Sequence, residues 1–117
     1  MKNKYSEKIA KLLLQTQPNL TGMYRLEFKN VFGAVGSYIN GRIFISCGKF
    51  GIALRLPLEV IEVLFREKSA KYLKYFPKGH IKKEYAVLSN KILKDKHQLK
   101  RLVNESIKYA NQNRITK

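Results

Sequence analysis

The chain is short of acidic residues, has a single cysteine and three prolines, and contains no long apolar run. One cysteine, Cys47, cannot close an intramolecular disulfide, so a small stapled secreted scaffold is excluded. No uninterrupted apolar stretch approaches the roughly 20 residues needed to cross a bilayer. The opening Met-Lys-Asn-Lys looks like the first part of a signal peptide. However, Glu7, Lys8 and Lys11 interrupt the apolar stretch behind it, and no small-residue cleavage site follows. The expected setting is therefore cytoplasmic, with no membrane partner.

Eight Asp plus Glu face 24 Lys plus Arg, a formal net charge of +16 over 117 residues. Hydrophobic residues at 44% and aromatics at 11% still supply a core, so the charge does not imply disorder. The length suits a single domain spanning residues 1–117, with an ordered core from about residue 5 to 110. The excess charge is uneven: residues 1–60 carry a net +6 and residues 61–117 a net +10. Such a balance repels other copies and attracts polyanions.

Periodicity gives the elements. Tyr5, Ile9, Leu12, Leu13 and Thr16 share one face of a helix over Asn3 to Gln17, which Pro18-Asn19 stops. Tyr24, Leu26 and Phe28 alternate with Arg25, Glu27 and Lys29 as in a half-buried strand. Asn30 reads as a break or bulge, after which Val31 to Ile39 continues as strand. Asn40-Gly41 signals a tight hairpin turn, and Arg42 to Cys47 returns. Gly48 to Gly51 turns again into a strand over Ile52 to Leu56. Pro57 sets φ for the first turn of a helix whose buried face is Val60, Ile61, Leu64 and Phe65. Residues 70–83 read as irregular or short strand, and Tyr85 to Leu88 as a short strand. Asp95, with Gln98 three residues on, opens a last helix with an apolar stripe of Leu99, Leu102, Val103, Ile107 and Ala110. The order is helix, three strands, helix, two short strands, helix. It predicts an α+β fold with the helices packed on one face of an antiparallel sheet.

Catalytic and metal patterns are sparse. Cys47, His80 and His97 lie far apart with no metal-ligand spacing, and nothing orients a Cys47–His80 dyad. Glu59 and Glu62 share a helix face that reads as solvated. The expectation is a non-enzymatic chain with no cofactor and no metal. Gly33-Ala34-Val35-Gly36 has the spacing of an RNA-binding GxxG loop, but its middle is apolar and its flanks are strand-like. These glycines are better read as letting a strand bend or a helix approach the sheet closely.

The stretch from Lys68 to Tyr85 carries the clearest lead. Its lysines alternate with Tyr72, Tyr75, Phe76 and Tyr85, and lysines neutralise phosphates while aromatics stack on unpaired bases. Lys71, Lys74, Lys78, Lys82 and Lys83 are the candidate nucleic-acid contacts. The plainer alternative is a solvated basic face with the aromatics turned to the core. Lys91, Lys94, Lys96, Lys100 and Arg101 form a second basic cluster that would extend the first.

The run Val31-Phe32-Gly33-Ala34-Val35-Gly36-Ser37-Tyr38, followed by Asn40-Gly41 and Phe44, resembles the "MFGG-x-G-x-Y…G-x-x-F" core of the TfoX/Sxy N-terminal domain family. Ile52-Ala53-Leu54-Arg55 looks like that family's "x-x-L-K" strand, and Phe76, Gly79 and Tyr85 like its later aromatic, glycine and tyrosine. Val31 and Arg55 stand where the family more often has Met and Lys. The resemblance covers roughly residues 5–110. It implies an α-β(3)-α-β(2)-α fold, a bacterial origin, and a role as a regulatory or adaptor module of the kind linked to natural competence. Longer members continue into a helical C-terminal domain. The family supplies no established catalytic or binding residue to carry over. Three functions follow as expectations: a regulatory or adaptor module acting through protein contacts, a direct nucleic-acid binder, and a small ligand-binding domain or enzyme. An open sheet edge would also admit a homodimer.

Overall fold

A computed structural model describes residues 3–74, 79 and 81–112. Helix α1 (Lys4–Thr16) begins where the Asn3 side chain accepts a hydrogen bond from the Tyr5 N–H at 2.8 Å. It buries Ile9, Leu12, Leu13 and Thr16, the face its spacing predicts. After Pro18 the chain makes one further short turn of helix, α2 (Leu20–Met23). Then come β1 (Leu26–Val31), β2 (Ala34–Ile39), β3 (Arg42–Gly48) and β4 (Gly51–Arg55), in a continuous antiparallel meander.

This meander has four strands where the sequence pattern suggests three. Val31 to Ile39 is not one strand: Phe32 (φ 51°) and Gly33 (φ 82°) make a two-residue turn between β1 and β2. Both residues are left-handed, as a type I′ turn demands, and so are Asn40 (φ 53°) and Gly41 (φ 82°) between β2 and β3. Asn-Gly announces such a turn in sequence and Phe-Gly does not, because phenylalanine is strained there. Asn30 is a regular strand residue, paired with Val35.

Pro57 caps α3 (Leu58–Arg66) from just outside it, in extended conformation, and its carbonyl accepts from the Val60 and Ile61 N–H groups. The chain then forms β5 (Ala70–Leu73) and β6 (Lys82–Leu88). Ser89 caps the short α4 (Asn90–Lys94). The Asp95 carboxylate accepts from the Gln98 N–H at 3.1 Å and starts α5 (Lys96–Gln112), the expected capping pair. The sheet order is β1-β2-β3-β4-β6-β5, with every neighbouring pair antiparallel. The α+β class and the antiparallel sheet are as expected. Helices α1 and α5 pack on β2, β3 and β4, and α3 packs on β5 and β6.

One face of the sheet meets the helices through Val35, Ile45, Cys47, Ile52, Leu54, Ala86 and Leu88, all in a single core with α1, α3, α4 and α5. A bulge in β3 leaves Phe44 unpaired between Ile43 and Ile45, and its ring fills that core with no exposure. The Ser106 hydroxyl of α5 reaches two strand carbonyls, Phe44 O at 2.5 Å and Arg55 O at 2.7 Å. That contact fastens the last helix to the ends of β3 and β4. The opposite face carries a smaller cluster of Ala53, Leu73 and Val87, with Phe50 and Tyr85 packed on it. On this face Gly36 and Gly48 leave room for neighbouring side chains, while Gly33 lies in the turn between β1 and β2. A Cβ on Gly36 would sit 2.7 Å from Ile43 Cδ1, and one on Gly48 would sit 2.8 Å from the Phe50 ring. Large side chains therefore lie flat on this face of the sheet.

Among the described residues no helix is long and apolar enough to cross a membrane.

Candidate nucleic-acid interface

The lysine-rich segment lies at one end of the sheet, where β5 forms the edge and β6 its inner neighbour. Lys71 and Lys74 are exposed on and just after β5; Lys82 and Lys83 open β6. Lys78, Tyr75, Phe76 and His80 lie outside the described residues.

Strand geometry divides these groups. Successive side chains of a strand point to opposite faces, so Lys71 and Tyr72 cannot share a surface. Lys71 lines a groove of about 370 Å³ together with Lys68, Phe50, Val87, Ser89 and Asn90. Lys83 lines a second groove, about 270 Å³, with Leu58, Ile61, Glu62, Phe65, Tyr72 and Ile81. A register shift between Tyr72 and Leu73 sets Leu73 against Lys82, leaving residues 83–85 as extra length in β6. Each groove thus pairs lysine with an aromatic ring: Phe50 in the first, Tyr72 in the second. Tyr72 is 54% exposed, and Phe65 holds it edge-on at 4.4 Å between ring centres.

Lys68 is a wall of the first groove that the sequence pattern leaves off the contact set. It adopts a left-handed conformation, φ 59°, just past α3. Its N–H donates to Phe65 O at 3.0 Å, and the next N–H, of Ser69, donates to Leu64 O at 2.8 Å. This is a Schellman stop, and its left-handed position usually belongs to glycine. A lysine there costs roughly 1 kcal/mol of backbone strain. The sequence holds no local signal for it, since Glu67-Lys68-Ser69 reads as an ordinary frayed helix end.

Few of the basic side chains meet an acid. Among the described residues ion pairs form only between Lys29 and Glu27 (3.9 Å) and between Arg55 and Glu84 (2.9 Å). Lys68, Lys71, Lys74, Lys82 and Lys83 therefore have no acidic partner among the described residues. Arg55 is committed elsewhere. Its side chain is 15% exposed, its Nε donates to Glu84 Oε1 at 3.0 Å, and its guanidinium lies 5.0 Å from the Tyr109 ring centre. The Tyr109 hydroxyl donates to Glu84 Oε2 at 3.3 Å. These three side chains tie β4, β6 and α5 together.

Part of the second basic cluster lies in a groove of its own, while α4, which carries Lys91 and Lys94, begins at Asn90 on the wall of the first groove. Lys100 and Arg101 line a groove on α5 with Gln17, His97 and Asn104. Lys91 and Lys94 sit in the last turn of α4. Cys47 is buried in the helix-side core, and burial pushes its thiol pKa up against a smaller opposing pull from Lys8. His97 is exposed on α5, and Glu59 and Glu62 are on the solvated face of α3. Among the described residues no three His, Cys, Asp or Glu side chains gather as a metal site.

Compared with known proteins, the chain matches no family model, no curated protein and no solved structure.

Proposed function

We propose that this chain is a non-enzymatic regulatory module that holds single-stranded nucleic acid against the β5 edge of its sheet. The carrying observation is the group of five lysines at that edge, Lys68, Lys71, Lys74, Lys82 and Lys83, none of them in an ion pair among the described residues. Single strands are favoured over duplex because each groove places an aromatic ring beside lysine. Unpaired bases stack on such rings while lysines track the phosphates. Lysine gives point-charge attraction without the planar fork that reads base edges, so the expected binding has little sequence preference. The Lys68 strain supports the same reading, because backbone strain is retained where the side chain it positions is used. The regulatory role rests on the TfoX/Sxy resemblance of the Val31–Tyr38 and Ile52–Arg55 runs.

The test is binding of a single-stranded oligonucleotide over a salt series. Replacing Lys71, Lys74, Lys82 and Lys83 by Ala reduces the log–log salt slope by up to about 0.7 for each phosphate no longer neutralised. An unchanged slope in that variant rules out this edge as the surface.

The groove beside α3 favours a second reading, docking of a protein partner and hence an adaptor role. Leu58, Phe65, Tyr72 and Ile81 line it, and Leu58 and Ile81 are exposed apolar side chains. Leu58→Ala separates the two: it weakens capture of a protein partner and, changing no charge, leaves the nucleic-acid salt slope unchanged.

A further inference from the structure

The opposite edge of the sheet has a different chemistry. Strand β1 is the terminal strand at that end, and among the described residues β2 is its main neighbour. Its middle residues, Phe28, Lys29 and Asn30, are all exposed. Phe28 is 42% exposed and Leu14, on the neighbouring α1, 68%. A groove of about 150 Å³ between α1 and β1 is lined by Ala10, Leu13, Leu14, Leu20, Leu26 and Phe28, together with Gln17 and Pro18.

The hairpin fixes which backbone groups of β1 are open. A two-residue turn at Phe32–Gly33 makes Val31 and Ala34 a hydrogen-bonded pair. Such pairs then alternate, so Lys29–Gly36 and Glu27–Tyr38 are also hydrogen-bonded. The N–H and C=O groups of Leu26, Phe28 and Asn30 therefore point away from β2. Among the described residues none of them has another backbone partner.

We propose that a second copy of this chain pairs with the β1 edge, antiparallel, about a two-fold axis through Phe28. This register follows from the strand itself. Centred on Phe28, it sets Leu26 against Asn30 of the second copy and Phe28 against its own counterpart. These are the residues whose backbone groups point outward, so each pair exchanges two hydrogen bonds. The same register sets Glu27 against Lys29 of the second copy, and Lys29 against Glu27. Those pairs fall at the non-hydrogen-bonded positions, where side chains approach most closely. Within one chain the Glu27–Lys29 ion pair is long, 3.9 Å, and well exposed, and the Lys29 ammonium lies 4.9 Å from the Tyr38 ring centre, so Glu27 gains a closer partner on pairing while Lys29 exchanges a surface contact for one across the seam.

The two faces of the joined sheet agree with this. Phe28 pairs with Ser37 and faces the helices, so the two Phe28 rings meet beside the two α1 helices and their exposed Leu14 side chains. Glu27 and Lys29 pair with Tyr38 and Gly36 and lie on the other face. Apolar contacts thus form on one side of the sheet and ion pairs on the other. The charge on β1 also favours it, since this strand has one acid and one base while the chain carries +16. A second copy is the occupant because an antiparallel two-fold turns the Glu-Phe-Lys order into its own complement.

The test is sedimentation equilibrium of the full chain over a concentration series, at low and high salt. The expected result is a reversible dimer that tightens as salt rises, because screening removes the repulsion between two strongly basic chains. Glu27→Lys sets like charges against each other at both pairs and weakens the dimer by roughly 10-fold or more. The double exchange Glu27→Lys with Lys29→Glu is again self-complementary and restores affinity to within about threefold. A chain that stays monomeric at every concentration and salt overturns the proposal. So does a dimer that Glu27→Lys leaves unchanged, or one that the double exchange fails to restore. Recovery in the double variant also shows that the weakening in the single variant is not a folding defect.

Discussion

The two ends of the sheet are built from similar short strands and carry opposite instructions. At the β1 end the exposed strand reads Leu-Glu-Phe-Lys-Asn-Val, with its charges balanced and its outward backbone groups open. At the β5 end the strand reads Ala-Lys-Tyr-Leu and is bracketed by Lys68 and Lys74, with Lys82 and Lys83 beside it. Lysines on an edge strand are a common guard against strand addition, since a second copy would bring like charges together. The same lysines attract phosphate. The proposed division of labour between the edges therefore rests on charge placement: a strand for the balanced edge, a polyanion for the basic one.

Reversing the charge at the β5 end is the strongest way to break this contrast. Replacing Lys71, Lys74, Lys82 and Lys83 together by Glu is expected to weaken oligonucleotide binding by at least about 100-fold at moderate salt, while the dimer stays intact. Fluorescence anisotropy and sedimentation on one preparation check both halves. Next in size, Phe28→Lys gives β1 the guard that β5 already has. It is expected to weaken dimerisation by roughly 10-fold or more without altering nucleic-acid affinity. The contrast sharpens further in the salt response: dimerisation strengthens with added salt and nucleic-acid binding weakens.

Smaller effects come from two strained residues, one near each edge. Phe32, next to β1, and Lys68, next to β5, both hold left-handed backbone. Phe32→Asn and Lys68→Gly are each expected to raise unfolding stability by about 0.5–1 kcal/mol in denaturant titration. Only Lys68→Gly also lowers nucleic-acid affinity, by a few-fold. The smallest change is a control. The Ser37 hydroxyl is buried under the helices without a hydrogen-bond partner, so Ser37→Ala is expected to be neutral or stabilising by up to about 1 kcal/mol, with neither edge affected.

Much of the fold is legible because local rules and the tertiary structure agree. Ile9, Leu12 and Leu13 on α1, and Leu99, Leu102, Val103 and Ile107 on α5, are buried as their spacing requires. Asn40-Gly41 turns where it says it will. Disagreement appears where a residue works against its own preference. Phe32 hides a hairpin because no local rule places phenylalanine in a type I′ turn. The end of α3 near Lys68-Ser69 is legible, but the left-handed turn at Lys68 that closes it is not, since lysine is a poor fit there. The basic segment is legible as a segment, but its surface is not. Strand alternation and the irregular β5–β6 register put Lys71 and Lys83 in different grooves, and Lys100 and Arg101 of α5 line a third. The clamp of Arg55, Glu84 and Tyr109 joins residues far apart in the chain, so no spacing announces it.

By itself the scarcity of acids determined that this protein carries a large uncompensated positive charge, and hydrophobic periodicity determined its α+β class. The tertiary structure decided where that charge acts. Strand β6 inserts between β4 and β5, so β1 and β5 become the two ends of one sheet. That order depends on long-range pairing of strands many residues apart, which local patterns do not encode. It separates a balanced edge, β1, from a basic one, β5, and gathers lysines from β5, β6 and the end of α3 at one end of the sheet.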